Sequence, residues 1–189
     1  MTHNTRAAIP TTALITVGDE TPSTLTAQLG LDTSTVAGAS DLGATRQVVI
    51  LIPPAAPTPF SSTTDDDLSA VDRTFVTVVH TLQHATRTFR EQGDPVRSIV
   101  ILLPAKAALG ERNCVLPSML AGAVLSFART IAIELKKDAI TVNTVLYGGL
   151  DDAEVCTIHA LLETYRTATT LTGQETYTAS GPNLGRIKP

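Results

Sequence analysis

Four short runs of apolar, largely β-branched residues recur along the chain: Thr12–Val17, Gln47–Ile52, Arg97–Leu103 and Ile140–Leu146. Each is too short for a stable helix and too uniformly apolar for a strand with one wet face. Each therefore reads as a strand buried on both sides. Between them lie helical patterns. Asp65, Asp66 and Asp67 stand where a helix N-terminus favours negative charge, and Leu68, Val71, Phe75, Val78, Val79 and Leu82 follow at helical spacing to about Glu91. Leu120–Lys137 is a second helix, apolar on much of its circumference, and Asp152–Thr167 is a third that starts with acids. Glu175–Ala179 closes the series as a short fifth strand. Buried strands alternating with helices predict an α/β fold, a truncated Rossmann-like doubly wound parallel sheet with helices on both faces. Residues 18–45 are rich in Gly, Thr, Ser and Asp; only a short helix around Ser23–Leu29 is expected there, and Pro57–Thr64 reads as a loop.

With 189 residues the chain suits a single domain spanning 1–189. Its net charge of −4 and its 4% aromatic content argue against a nucleic-acid surface. The apolar runs are too short to span a bilayer, and Met1–Arg6 carries no apolar signal core, so a cytoplasmic protein is expected. Cys114 and Cys156 lack metal-ligand spacing and read as free, mostly buried thiols. His80 and His84 lie four apart on one helix, but no third ligand is evident, so no metal site is expected. Tyr147, Tyr165 and Tyr177 read as packing residues, and acids at a helix start such as Asp65–Asp67 need no ion.

Three stretches carry a family resemblance. Val124–Glu134, VLSFARTIAIE, resembles the helix written VxGLTRSLAxE in the classical short-chain dehydrogenase/reductase family. Ile140–Gly148, ITVNTVLYG, resembles that family's IRVNxVxPG strand and turn. Glu154–Gln174 begins with Glu-Val and closes on Leu171-Thr172-Gly173-Gln174, similar to the family's EVAxxVxFL helix and ITGQ signature. With the strands Val49–Ile52 and Ile99–Leu103, the resemblance covers roughly residues 46–180.

The resemblance also implies where catalytic and cofactor residues would stand, and other residues stand there. The family's Tyr and Lys fall on Pro117 and Ala121, its Ser on Pro104 and its supporting Asn near Phe75. The chemistry needs a phenol to pass a proton, a cation to lower its pKa and a hydroxyl to hold the substrate oxygen; none of these four side chains serves. Ser118, next to Pro117, offers a hydroxyl without a base or cation near it in sequence. In the cofactor turn TGxxxGxG, Thr16 aligns with the Thr, and the glycine positions fall on Val17, Thr21 and Ser23. Asp19 and Glu20 would repel a diphosphate, and Gly18 reads as an ordinary turn. The family's NNAG reads Pro53-Pro54-Ala55-Ala56. Residues 18–47 are a shortened cofactor region, and at 149–153 the usual substrate lid is deleted.

What the resemblance retains are the long helices and the C-terminal helix–strand unit, which in the family build dimers and tetramers. It therefore implies a non-catalytic pseudoenzyme subunit that binds no cofactor itself. Its partner would be a full-length active short-chain dehydrogenase carrying NAD or NADP, in a heterotetramer. By analogy with family members that have one inactive subunit, such as the hydroxyacyl-CoA dehydrogenase of the benzylsuccinate pathway, the complex would act on a hydroxyacyl-CoA or oxoacyl-CoA. The alternatives are a stand-alone ligand-binding or regulatory module of the same fold, and a divergent enzyme using other residues.

Overall fold

The computed structural model describes residues 12–17, 27–29, 42, 45–92 and 97–178. Five strands form one sheet: β1 (Thr12–Thr16), β2 (Gln47–Leu51), β3 (Arg97–Pro104), β4 (Ile140–Tyr147) and β5 (Glu175–Tyr177). All neighbours pair in parallel, and spatial order follows sequence order from β1 to β5. The helices are α1 (Asp65–Gln92), α2 (Ala105–Leu109), α3 (Val115–Leu135) and α4 (Asp152–Thr167). The expected α/β Rossmann-like architecture is thus the observed one.

Strand pleating sorts the core into two layers. Ile99, Ile101 and Leu103 point to a cluster with Val78 and Leu82 of α1 and Val124 and Ala128 of α3. Val100 and Leu102 point the other way, to Leu14, Leu29 and the α4 residues Ile158 and Leu162. Both faces of the sheet are therefore dry, which is why its strands show no polar alternation. A consequence concerns handedness. Strand order advances in one direction throughout, yet α1 and α3 cover one face and α4 the other. The β4–β5 crossover must then be opposite in hand to the β2–β3 and β3–β4 crossovers, a departure from the uniform hand of most such units.

Local chemistry fixes two turns beside β4, the first of them at its carboxyl end. Asp151 caps α4 by accepting the Glu154 N–H at 2.9 Å. The Leu171–Gln174 turn hangs on the buried Asn143 of β4: its amide donates to the Leu171 carbonyl at 2.9 Å and its oxygen accepts the Gln174 N–H at 3.0 Å. Gly173 lies in that turn at φ +72°, a conformation side chains disfavour.

Several expectations need correction. The second long helix starts at Val115 rather than Leu120, because Pro117 sits in its first turn, where a missing N–H costs nothing. The short helix α2 was not expected, and Phe60–Ser62 forms a 3-10 turn inside the expected loop. Only Val78 and Leu82 of the anticipated α1 stripe are buried; Leu68 is exposed. The reason is length: 28 residues make a helix of about 42 Å, and β2 has five residues. The first half of α1 overhangs the sheet. The last strand ends at Tyr177, with Thr178 beyond it. Residues 27–29 are helical, and the rest of the helix expected at Ser23–Leu29 lies outside the described residues.

Candidate functional site

In open parallel sheets, ligands bind beyond the carboxyl ends of the strands. In this chain a crevice lies there in two adjoining lobes that share Pro54, Ala55 and Pro117. The larger, about 410 Å³, lies between Val17, Ile52, the first part of α1 and the start of α3. The smaller, about 250 Å³, lies between Pro104, Tyr147, Gly148 and the Lys106–Cys114 segment.

The fold brings several of the sequence-derived positions to this crevice: Val17, the Pro53–Ala56 segment, Pro104 and Pro117. Ala121 does not reach it, being fully buried under α3 against the sheet. Phe75 packs edge-on against Phe127 of α3, ring centroids 5.5 Å apart, and ties the two long helices together. Thr21 and Ser23, with Gly18, Asp19 and Glu20, lie outside the described residues. Ser118 is partly buried in the first turn of α3, where its N–H donates to the Cys114 carbonyl.

Backbone amides are what a diphosphate requires, and in this crevice they are scarce or engaged. Pro53, Pro54, Pro57, Pro104 and Pro117 have no N–H to offer. The Val17 N–H donates to the Leu51 carbonyl and the Ile52 N–H to that of Leu102. At the end of β4, three consecutive amides converge, with Leu150 at φ +56°. Such a nest suits an anion, and Glu154 fills it. Its carboxylate accepts from Gly148, from Gly149 at 2.7 Å and from Leu150 at 2.6 Å, and also from the Thr178 hydroxyl. Burial pushes the Glu154 pKa up, but these donors outweigh it and hold the group below its ordinary value. Among the described residues, the Val17 and Ile52 amides and the nest at the end of β4 are therefore not free to hold a diphosphate.

Tyr147 is the one phenol lining the crevice among the described residues. Its hydroxyl donates to the Ile52 carbonyl at 2.8 Å, and burial followed by the nearby Glu154 charge pushes its pKa well above the usual tyrosine range. That is opposite to what a proton-passing phenol needs at neutral pH. Sequence reading took Tyr147 as packing, which its burial supports. It overlooked Glu154, although Asp151 followed three residues later by Glu is a capping-box signature.

The other candidates stay bland. His80 is exposed, and the His84 ring meets Thr88 at 3.4 Å. No group of three metal-ligating side chains occurs among the described residues. Cys114 is buried, whereas Cys156 is exposed, contrary to the expectation of mostly buried thiols.

No protein-family profile and no curated protein matches the sequence. Solved structures do match in fold. Acetoin dehydrogenase from Enterobacter cloacae aligns with a TM-score of 0.71 at 16% identity, covering 96% of this chain and 100% of that one. A short chain dehydrogenase from Mycobacterium smegmatis aligns at 0.67 and 18% identity, covering 90% and 92%. An NADPH-bound short chain oxidoreductase from Pseudomonas aeruginosa, described as containing an atypical catalytic center, aligns at 0.64 and 17% identity, covering 78% and 68%. At such identities the likeness is one of architecture, and the chain has the Rossmann-like fold of the short-chain dehydrogenases and reductases.

Proposed function

We propose that this chain is a non-catalytic subunit of a heteromeric short-chain dehydrogenase. An active, full-length sister subunit carries NAD or NADP and performs the chemistry, and this chain completes the assembly as part of a cytoplasmic heterotetramer. The observation that carries the reading is the outward side of α3. Val115–Asp138 is apolar and long enough, by length and composition, to cross a membrane. It instead packs one face, through Ala121, Val124, Ala128 and Ala132, on the sheet. Its other face leaves Met119, near its start, 48% exposed and Ile133, near its end, 78% exposed. A helix surface of this kind is stabilised when another subunit covers it. The engagement of the Val17 and Ile52 amides and of the nest at the end of β4 supports the second half of the reading. A hydroxyacyl-CoA or oxoacyl-CoA is the proposed substrate of the complex, by analogy of fold alone.

Affinity capture from the native cell extract, followed by native mass spectrometry, tests it. The expected result is a full-length dehydrogenase at equal stoichiometry, with nicotinamide-dependent activity in the complex and none in this chain. A homo-oligomer without such a partner sinks the proposal. A second reading, a ligand-binding module, is favoured by the crevice, whose lining accommodates a molecule without reacting with it.

A further inference from the structure

The crevice has a composition that selects its occupant. The two lobes together fall within the size range of small-molecule pockets, about 300–1,000 Å³. The larger lobe is walled by Val71, Leu116 and Leu120 and by the Pro53–Ala56 segment. Its one carboxylate among the described residues, Asp67, is turned to its own helix cap, accepting the Thr64 N–H at 2.9 Å and the Thr64 hydroxyl at 2.8 Å. The smaller lobe has a charged rim. Lys106 pairs with Glu111 at 3.6 Å, which leaves Arg112 as the surplus charge. Arg112 takes part in none of the ion pairs among the described residues. The loop presenting it is fixed, since Gly110 and Asn113 both adopt positive φ and Thr58 donates its N–H to the Asn113 carbonyl at 2.6 Å.

A ligand complementary to these features has an apolar body that asks for no donors and one anionic head that meets a guanidinium. We infer that the crevice binds a medium-length aliphatic carboxylate, its chain in the lobe under α1 and α3 and its carboxylate on Arg112. A dinucleotide is the wrong shape of chemistry here, because it would lay phosphates along proline and alanine. The inference stands apart from the subunit reading: it concerns the isolated chain and holds whether or not a dehydrogenase partner exists.

Calorimetric titration of the purified full chain tests it, with decanoate below its micelle concentration, decanol and NADH as probes. Decanoate should bind saturably, one per chain, and decanol more weakly. Arg112→Gln, an exposed change that leaves thermal unfolding unaltered, should weaken decanoate about tenfold and leave decanol unchanged. Ala70→Phe, which fills the larger lobe from the surface of α1, should weaken both. Absence of decanoate binding, equal affinity of Arg112→Gln for decanoate, or tighter binding of NADH than of decanoate would each overturn the assignment. The affinity capture described above is not affected by any of these results.

Discussion

At the residue scale, Glu154 gathers three amides that would otherwise be left without partners at the end of β4, and a Thr178 hydroxyl that also reaches the Leu146 carbonyl. Glu154→Ala should destabilise the chain by about 2–3 kcal/mol, read from urea unfolding. The same carboxylate gives the fold an acid limb. Its folded pKa lies below the ordinary value of 4.5, so its contribution is complete above that value and disappears as pH falls through the lowered one. Stability measured between pH 6 and 3 should therefore drop less steeply in Glu154→Gln than in the parent; equal slopes would refute the link. Ala121 invites the converse experiment. Writing Lys there, with Tyr at Pro117, restores two residue types of a dehydrogenase site. The Lys would replace a fully buried methyl and should cost about 3–5 kcal/mol, with no gain in NADH-dependent activity.

Elements were legible in proportion to how dry their surroundings are. β2, β3 and β4 announced themselves because nearly every residue in them is buried, so apolar content alone marked them. The overhanging start of α1 misled for the same reason: Leu68 and Val71 keep helical spacing where no sheet lies beneath them. Among site positions, Val17 and Pro104 reach one crevice because the sheet sets the strand ends that carry them, and Pro117 joins them from the first turn of α3. The Arg112 loop was invisible, since it depends on positive φ at Gly110 and Asn113, which sequence spacing does not encode. The Leu171–Gln174 turn shows the opposite case, a short string whose role rests on one buried partner, Asn143. Gly173→Ala should cost about 1 kcal/mol, measured by thermal unfolding. The cost is conformational, because the added methyl would meet Ala132 Cβ at an unstrained 3.6 Å.

For the whole molecule, the relevant surface is the one the chain does not cover by itself. Ile133→Asp on the outward side of α3 should leave the unfolding temperature of the isolated chain within a degree or two, since Ile133 is already 78% exposed. In the cell extract it should abolish capture of the sister subunit. A retained complex would move the interface elsewhere. The sheet's connectivity has a consequence of another kind. No two neighbouring strands are joined by a hairpin: Thr12 meets Gln47, Gln47 meets Ser98, Arg97 meets Ile140 and Thr144 meets Glu175, every pair more than thirty residues apart. Each pairing must close a long loop before it is rewarded, which makes such chains slow to fold. On the ribosome, β3 has no C-terminal neighbour until β4 has been synthesised. Its apolar residues must wait, and the time they wait is set by the rate of translation.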